Sequence, residues 1–231
     1  MKKIWMLIFS IVLLTFGSSQ AVPNLQLFID GGTYDAASES WVSTSGTFDI
    51  YVIGANEALS SVKVSMALAF AKDDDPNGLA SVDVDGSTYD EWIYGYAPIM
   101  TAPDFDPGDD LSKHGIFPTW FTEFDAGNFG LVGGVGDVQP QPDYYDPSID
   151  GYMASSKTLG EYKVFSISAT GTAFLHFDAY TLNPDGSIRY FAPFSHDATM
   201  TPPPPGVPEP ASLILFAIGG MGLGIYRKFR K

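Results

Sequence analysis

Runs of alternating apolar and polar residues recur along the first half of the chain. Every second residue is apolar over 25–29 and 48–52, and the longest run places Val62, Val64, Met66, Leu68 and Phe70 on one face. A period of two predicts half-buried β-strands, because successive side chains of a strand point to opposite faces of the sheet. Val82 and Val84 continue the pattern up to the turn signal Asp85-Gly86.

The second half repeats this pattern after a long interruption. Residues 162–168, 173–180 and 187–191 are predicted strands, and the last two are joined by the turn at 183–186. No segment keeps a helical period over more than two turns. We therefore predict an all-β body, a β-sandwich, in which short strands alternate with turns.

The interruption, residues 89–153, is rich in proline, glycine and aromatic residues. This composition predicts long ordered loops, with one strand at 119–124. Long loops on a rigid sandwich are where binding usually resides.

The amino terminus has the three parts of a secretory signal. Lys2 and Lys3 precede the apolar run 4–17, and small residues, Ser19 and Ala21, stand at the −3 and −1 positions of a cleavage site. We predict export through the Sec translocon and cleavage after Ala21, so that 1–21 is a signal peptide.

The carboxyl terminus predicts a membrane anchor. A proline-rich spacer, 201–206, leads to Val207-Pro208-Glu209-Pro210, an apolar stretch of 16 residues (211–226) and a basic end. As a single transmembrane helix the stretch would be about 24 Å long. The basic end predicts that transfer through the inner membrane stops there, with the body outside. The anchor residues are Ala211, Leu213, Leu215, Phe216, Ile218, Leu223, Ile225 and Tyr226, and the stop-transfer residues are Arg227, Lys228, Arg230 and Lys231.

This order of a Val207-Pro208-Glu209-Pro210 motif, a short glycine-containing apolar helix and a basic cluster resembles the PEP-CTERM sorting signal. The resemblance covers residues 207–231. It implies processing by an exosortase of a Gram-negative bacterium, in a setting of exopolysaccharide and biofilm production. The alternative is an ordinary single-pass anchor.

Between the ends, residues 22–200 form the predicted body, which is strongly acidic. It holds 6 basic and 26 acidic residues, a net charge of −20. Such a surface repels nucleic acid and anionic headgroups and favours solubility, high salt or bound cations. The chain has no cysteine, which excludes disulfides, thiolate metal sites and cysteine nucleophiles.

Segments across the body are similar to the choice-of-anchor N proteins, a family of surface proteins with interchangeable anchoring tails. They are 25–31, Tyr34-Asp35, Trp41-Val42, 114–117, 121–124, 176–180 and 192–198. The resemblance implies display at the cell surface and no catalytic activity.

The three histidines, His114, His176 and His196, lie in those segments. Imidazole beside a carboxylate, as in His176/Asp178 and His196/Asp197, suits zinc or the activation of a water molecule. His176 and Asp178 share a strand face, whereas His196 and Asp197 diverge unless the chain turns there. The alternative is that the histidines hydrogen-bond to loop backbone, and no enzyme motif accompanies them.

Three acidic loop segments offer hard oxygen ligands for Ca²⁺. Their candidate ligands are Asp73, Asp75, Asp83, Asp85, Asp104 and Asp106. The alternative is that these aspartates only form turns. Aromatic rings at 92–96, 120, 144–145 and 152 suit stacking on sugars, unless they build the core beneath the loops.

These observations favour a non-enzymatic protein of the cell surface or extracellular matrix, in contact with exopolysaccharide. The alternatives are a calcium-dependent carbohydrate-binding module, which divalent ions would stabilise, and a secreted hydrolase using the His and Asp residues.

Overall fold

The computed structural model describes residues 22–35, 37–38, 40–99, 111, 116–138, 158–193 and 197–200. Within them the chain forms fourteen β-strands in two sheets and no α-helix. The predicted all-β class is confirmed, while the predicted C-terminal helix lies outside the described residues. No helix in the described part of the chain has the length and apolar character needed to cross a membrane.

The six-stranded sheet is organised around one long strand, β11. Its order is β1 (Leu25–Ile29), β4 (Thr47–Ala55), β11 (Thr158–Thr170), β6 (Ser81–Val84) and β7 (Ser87–Tyr89), and β10 (Gly133–Val135) also pairs with β11. All these pairs are antiparallel.

The eight-stranded sheet contains the last strand of the body. Its order is β2 (Thr33–Asp35), β3 (Ser40–Ser43), β14 (Asp197–Met200), β12 (Leu175–Leu182), β5 (Leu59–Leu68), β9 (Thr119–Phe129) and β8 (Ile93–Gly95), and β13 (Ile188–Phe191) pairs with β12. The pair β3–β14 is parallel.

The two sheets pack face to face and enclose the main core. Phe48 of β4 contacts Phe177 of β12 at 5.8 Å between ring centroids, and Phe124 of β9 contacts Phe165 of β11 at 5.1 Å. The same core includes five fully buried aliphatic and methionine side chains, those of Leu27, Ile50, Val64, Met66 and Ile167. Two layers with a shared apolar core make the body a β-sandwich, as predicted.

The outer face of the eight-stranded sheet is covered as well. Ala67, Phe121 and Tyr180 on this face pack against Ala97, Leu111 and Phe117 from the connection between β8 and β9; these six residues are the covering cluster. For this reason β5 is buried on both faces at its end, where Ser65 and Ala67 are as inaccessible as Met66.

The strands predicted from alternation all occur, with shifted ends. The middle region and its edge hold more strands than predicted: β9 is longer than 119–124, β8 and β10 accompany it, and β7 ends where the region begins. β2, β3 and β14 were also not predicted. These six additional strands have only three or four residues, too few for a period to register.

Candidate functional site

The outer face of the eight-stranded sheet carries a cluster of one histidine and two carboxylates. His176 and Asp178 lie two residues apart on β12, so their side chains share a face. β14 pairs with β12 in the register His176↔Thr199 and Phe177↔Ala198. This register brings Asp197, the first residue of β14, next to Asp178.

The imidazole of His176 is held from both sides. Its Nε2 lies 3.3 Å from Asp178 Oδ1 and 3.6 Å from Asp197 Oδ2. Its Nδ1 lies 2.9 Å from Thr199 Oγ1, and the two atoms are hydrogen-bonded. The Thr199 contact fixes the ring orientation that presents Nε2 to the two carboxylates.

The cluster is buried: His176 is 8% exposed, Asp197 3% and Asp178 0%. Burial alone would lower the pKa of His176, but the nearby carboxylates of Asp178 and Asp197 outweigh it and raise that pKa to about 9. The carboxylates thus create a strongly negative potential at Nε2, which attracts a proton or another cation.

A second polar group lies beside the cluster on the same sheet face. Ser65 of β5 is opposite Asp178, and Glu123 of β9 is opposite Ser65. Glu123 Oε1 accepts hydrogen bonds from the Tyr180 hydroxyl and from Ile99 N at 2.7 Å, and Lys63 Nζ is 3.5 Å from Oε2. Burial and the neighbouring Glu123 carboxylate raise the pKa of Tyr180 well above its usual value, so its hydroxyl stays a donor.

The sequence predicted the proximity of two of the three members of this cluster. His176 and Asp178 converge as the period of two requires. Asp197, which the sequence pairs with its neighbour His196, lies against His176. Thr199 and Ser65 were not predicted, because their places depend on strand pairing between distant segments. His114 and His196 lie outside the described residues.

The acidic loop residues have local roles where they are described. Asp75 Oδ1 accepts from Asn77 N at 3.0 Å, and Asp83 Oδ1 accepts from Gly86 N at 2.7 Å. Asp85 Oδ1 accepts from Ser166 N at 2.8 Å. Asp73 is exposed, and Asp104 and Asp106 lie outside the described residues. Among described residues, only His176, Asp178 and Asp197 form a group of three potential metal ligands, and calcium binding stays a prediction.

The aromatic candidates divide into buried and exposed rings. Trp92 is a core residue, 3% exposed, whose Nε1 donates to Ala80 O. Tyr94 and Trp120 pack edge to face at 5.6 Å, and Tyr96 is 43% exposed. Tyr144, Tyr145 and Tyr152 lie outside the described residues.

The carboxyl-terminal tail matches a known sorting signal. The family model of the PEP-CTERM protein-sorting motif matches residues 206–231, which include Val207-Pro208-Glu209-Pro210, the apolar stretch and the basic end. A search among curated proteins gives no match to the chain. The similarity of the body to choice-of-anchor N proteins therefore stays a prediction.

The matched tail identifies the type of precursor. A PEP-CTERM tail implies an exported, membrane-anchored precursor that an exosortase processes and that is displayed at the cell surface. The chain thus carries a surface-sorting signal behind a two-sheet β body.

Proposed function

We propose that this chain is a non-enzymatic component of the cell surface or extracellular matrix, whose β-sandwich is displayed after exosortase processing. The single observation that carries the proposal is the sorting motif at 206–231, which follows the β body in the sequence after the proline-rich spacer. In this proposal the Sec translocon exports the chain, residues 211–226 hold it in the inner membrane, and the exosortase acts near Pro208-Glu209-Pro210.

The burial of the His176 cluster supports a role without catalysis. The three side chains are no more than 10% exposed, and a hydrolase needs its acid and base within hydrogen-bond reach of substrate. A hydrolase using these residues would therefore require the groups that bury these side chains to move away.

The processing step is tested in a host that has an exosortase, with the full chain. The variant carries Pro208→Ala, Glu209→Ala and Pro210→Ala, and the matched control carries Pro202→Ala, Pro203→Ala and Pro204→Ala in the spacer. We expect the wild type and the control to reach the surface with a shortened mass, and the motif variant to remain full-length in the inner membrane. Normal processing of the motif variant would refute exosortase recognition.

A second candidate function is carbohydrate binding by the outer face of the six-stranded sheet. Tyr51 and Tyr162 stack there at 5.6 Å, and Tyr162 is 46% exposed. Beside them, Ser166 Oγ donates to Asp49 Oδ1 at 2.7 Å. Exposed rings beside hydroxyl and carboxylate groups suit the apolar face and hydroxyls of a sugar. This candidate would associate the body with exopolysaccharide.

Binding to the host's purified exopolysaccharide tests this candidate. We expect Tyr162→Ala to weaken binding about tenfold, the loss of one stacking contact. Leu79→Ala, which removes a 68% exposed apolar side chain elsewhere, is the control. Repeating the assay in EDTA separates calcium-dependent from calcium-independent binding, and equal binding by both variants would refute the Tyr162 site.

A further inference from the structure

We propose that His176, Asp178 and Asp197 bind a divalent transition-metal ion of the Zn²⁺ type, which fastens the last strand of the body. Each of the three residues offers one potential ligand atom, and these three atoms all lie within 4.8 Å of one another. They come from two adjacent strands, β12 and β14. The proposal concerns the body and does not depend on how the tail is processed.

The distances from the imidazole to the two carboxylates match those between the ligands of a tetrahedral ion. Ligands about 2.1 Å from zinc lie roughly 3.4 Å from one another. Nε2 is 3.3 Å from Asp178 Oδ1 and 3.6 Å from Asp197 Oδ2. Each carboxylate therefore already lies at about the required spacing from the imidazole.

The imidazole is oriented as a metal ligand would be. Thr199 Oγ1 is hydrogen-bonded to Nδ1 and leaves Nε2 directed at the two carboxylates. In metal sites the imidazole nitrogen that does not bind the metal commonly forms a hydrogen bond to a neighbouring oxygen, which fixes the tautomer of the ring.

An independent observation comes from Ser65, on the neighbouring strand. Its side chain is fully buried opposite Asp178, and its Oγ has no hydrogen-bond partner among the described residues. Buried hydroxyls are nearly always hydrogen-bonded. An ion at the cluster gives this hydroxyl a partner, either directly or through a water molecule as fourth ligand.

The donor set selects the class of ion. One imidazole and two carboxylates suit zinc and neighbouring transition metals. Ca²⁺ takes six to eight oxygen ligands, more than this cluster offers. The burial of all three residues favours a structural site, in which the ion links β12 to β14 just before the spacer.

Metal content of the purified full chain tests the proposal directly. After removal of metal with EDTA, the chain is titrated with Zn²⁺, with Co²⁺ as a spectroscopic probe and Ca²⁺ as a comparison. We expect one tightly bound Zn²⁺ per chain, tetrahedral Co²⁺ absorption and no competition by Ca²⁺. Failure of the wild type to bind Zn²⁺ or Co²⁺ would overturn the proposal and leave a buried imidazolium between two carboxylates.

Variants locate the ion. We expect His176→Gln and Asp197→Asn to lower Zn²⁺ affinity at least 100-fold, and Asp185→Asn, in the exposed turn after β12, to leave it unchanged. Thr199→Val keeps all three ligands, so it should fold and bind 10- to 100-fold more weakly. Unchanged Zn²⁺ affinity in His176→Gln and Asp197→Asn would place the ion elsewhere and refute this site.

Discussion

At the scale of single residues, Gly171 occupies the most constrained position of those described. It follows β11 with a φ of +72°, in the left-handed region that favours glycine. A Cβ built there would lie 1.8 Å from Leu79 O and 2.8 Å from Leu79 C. The turn that leads from one sheet to the other therefore requires both the conformation and the small size of glycine.

Gly171→Ala should destabilise the body by at least about 3 kcal/mol. The cost of a positive φ for alanine and the cost of the clash with Leu79 are summed in this variant. Gly186→Ala is the matched control, since Gly186 has a φ of +91° but nothing within 4 Å of an added Cβ. The control should lose only about 1–2 kcal/mol. Urea unfolding measures both variants, and equal losses would show that the chain near Leu79 moves aside.

At the scale of strands, the side chain of Lys163 connects the two sheets. Although β11 belongs to the six-stranded sheet, Lys163 Nζ donates to Ala126 O of β9 at 2.8 Å. The same Nζ lies 4.8 Å from the centroid of the Phe129 ring. The ammonium group thus connects β11 to the opposite sheet by a hydrogen bond and a cation–π contact.

Lys163→Met should cost about 1–3 kcal/mol, because it leaves Ala126 O without this donor and removes the cation–π contact. Lys72→Met is the control, because Lys72 is exposed and its Nζ lies 5.6 Å from the centroid of the Tyr94 ring. It should cost less than about 0.5 kcal/mol. Similar unfolding free energies for the two variants would show that the contact contributes nothing net.

Another connection between elements depends on Gln26 of β1. Its side chain is fully buried, donates to Gly136 O at 3.0 Å and accepts from Val138 N at 2.8 Å. It therefore holds the chain after β10 against the outer face of β1.

Gln26→Met should cost about 2–4 kcal/mol, since it leaves a backbone donor and a backbone acceptor unsatisfied. Amide exchange gives the local readout. Exchange of Val138 should accelerate, while that of Ala169, whose N–H bonds to Gly46 O at 2.8 Å, should stay slow. Unchanged protection at Val138 would mean that other contacts hold this segment.

Periodicity explains which elements were predictable from the sequence. Runs such as Val62 to Leu68 alternate because one face of β5 meets the main core, and these strands were predicted. β14 is buried at all four positions and offers no alternation. The site follows the same rule: His176 and Asp178 share a strand, whereas the contact of Asp197 with His176 depends on the pairing of β14 with β12.

At the scale of the whole molecule, negative charge dominates. The sequence has a formal net charge of −15, and the body alone has −20. Self-repulsion among like charges opposes compaction, and salt screens it over a Debye length of about 10 Å at 0.1 M. The melting temperature should therefore rise with added NaCl.

The double variant Asp73→Asn, Asp74→Asn separates this general repulsion from a local role of the acidic loop. Both residues are exposed, so replacing their charges should raise the melting temperature by about 1–2 °C at low salt. The difference should vanish in 1 M NaCl, where the Debye length is about 3 Å. A variant that is less stable at every salt concentration would contradict this view. If Ca²⁺ stabilises the wild type beyond NaCl of equal ionic strength but not the double variant, the loop binds calcium and the carbohydrate-binding module becomes the stronger candidate.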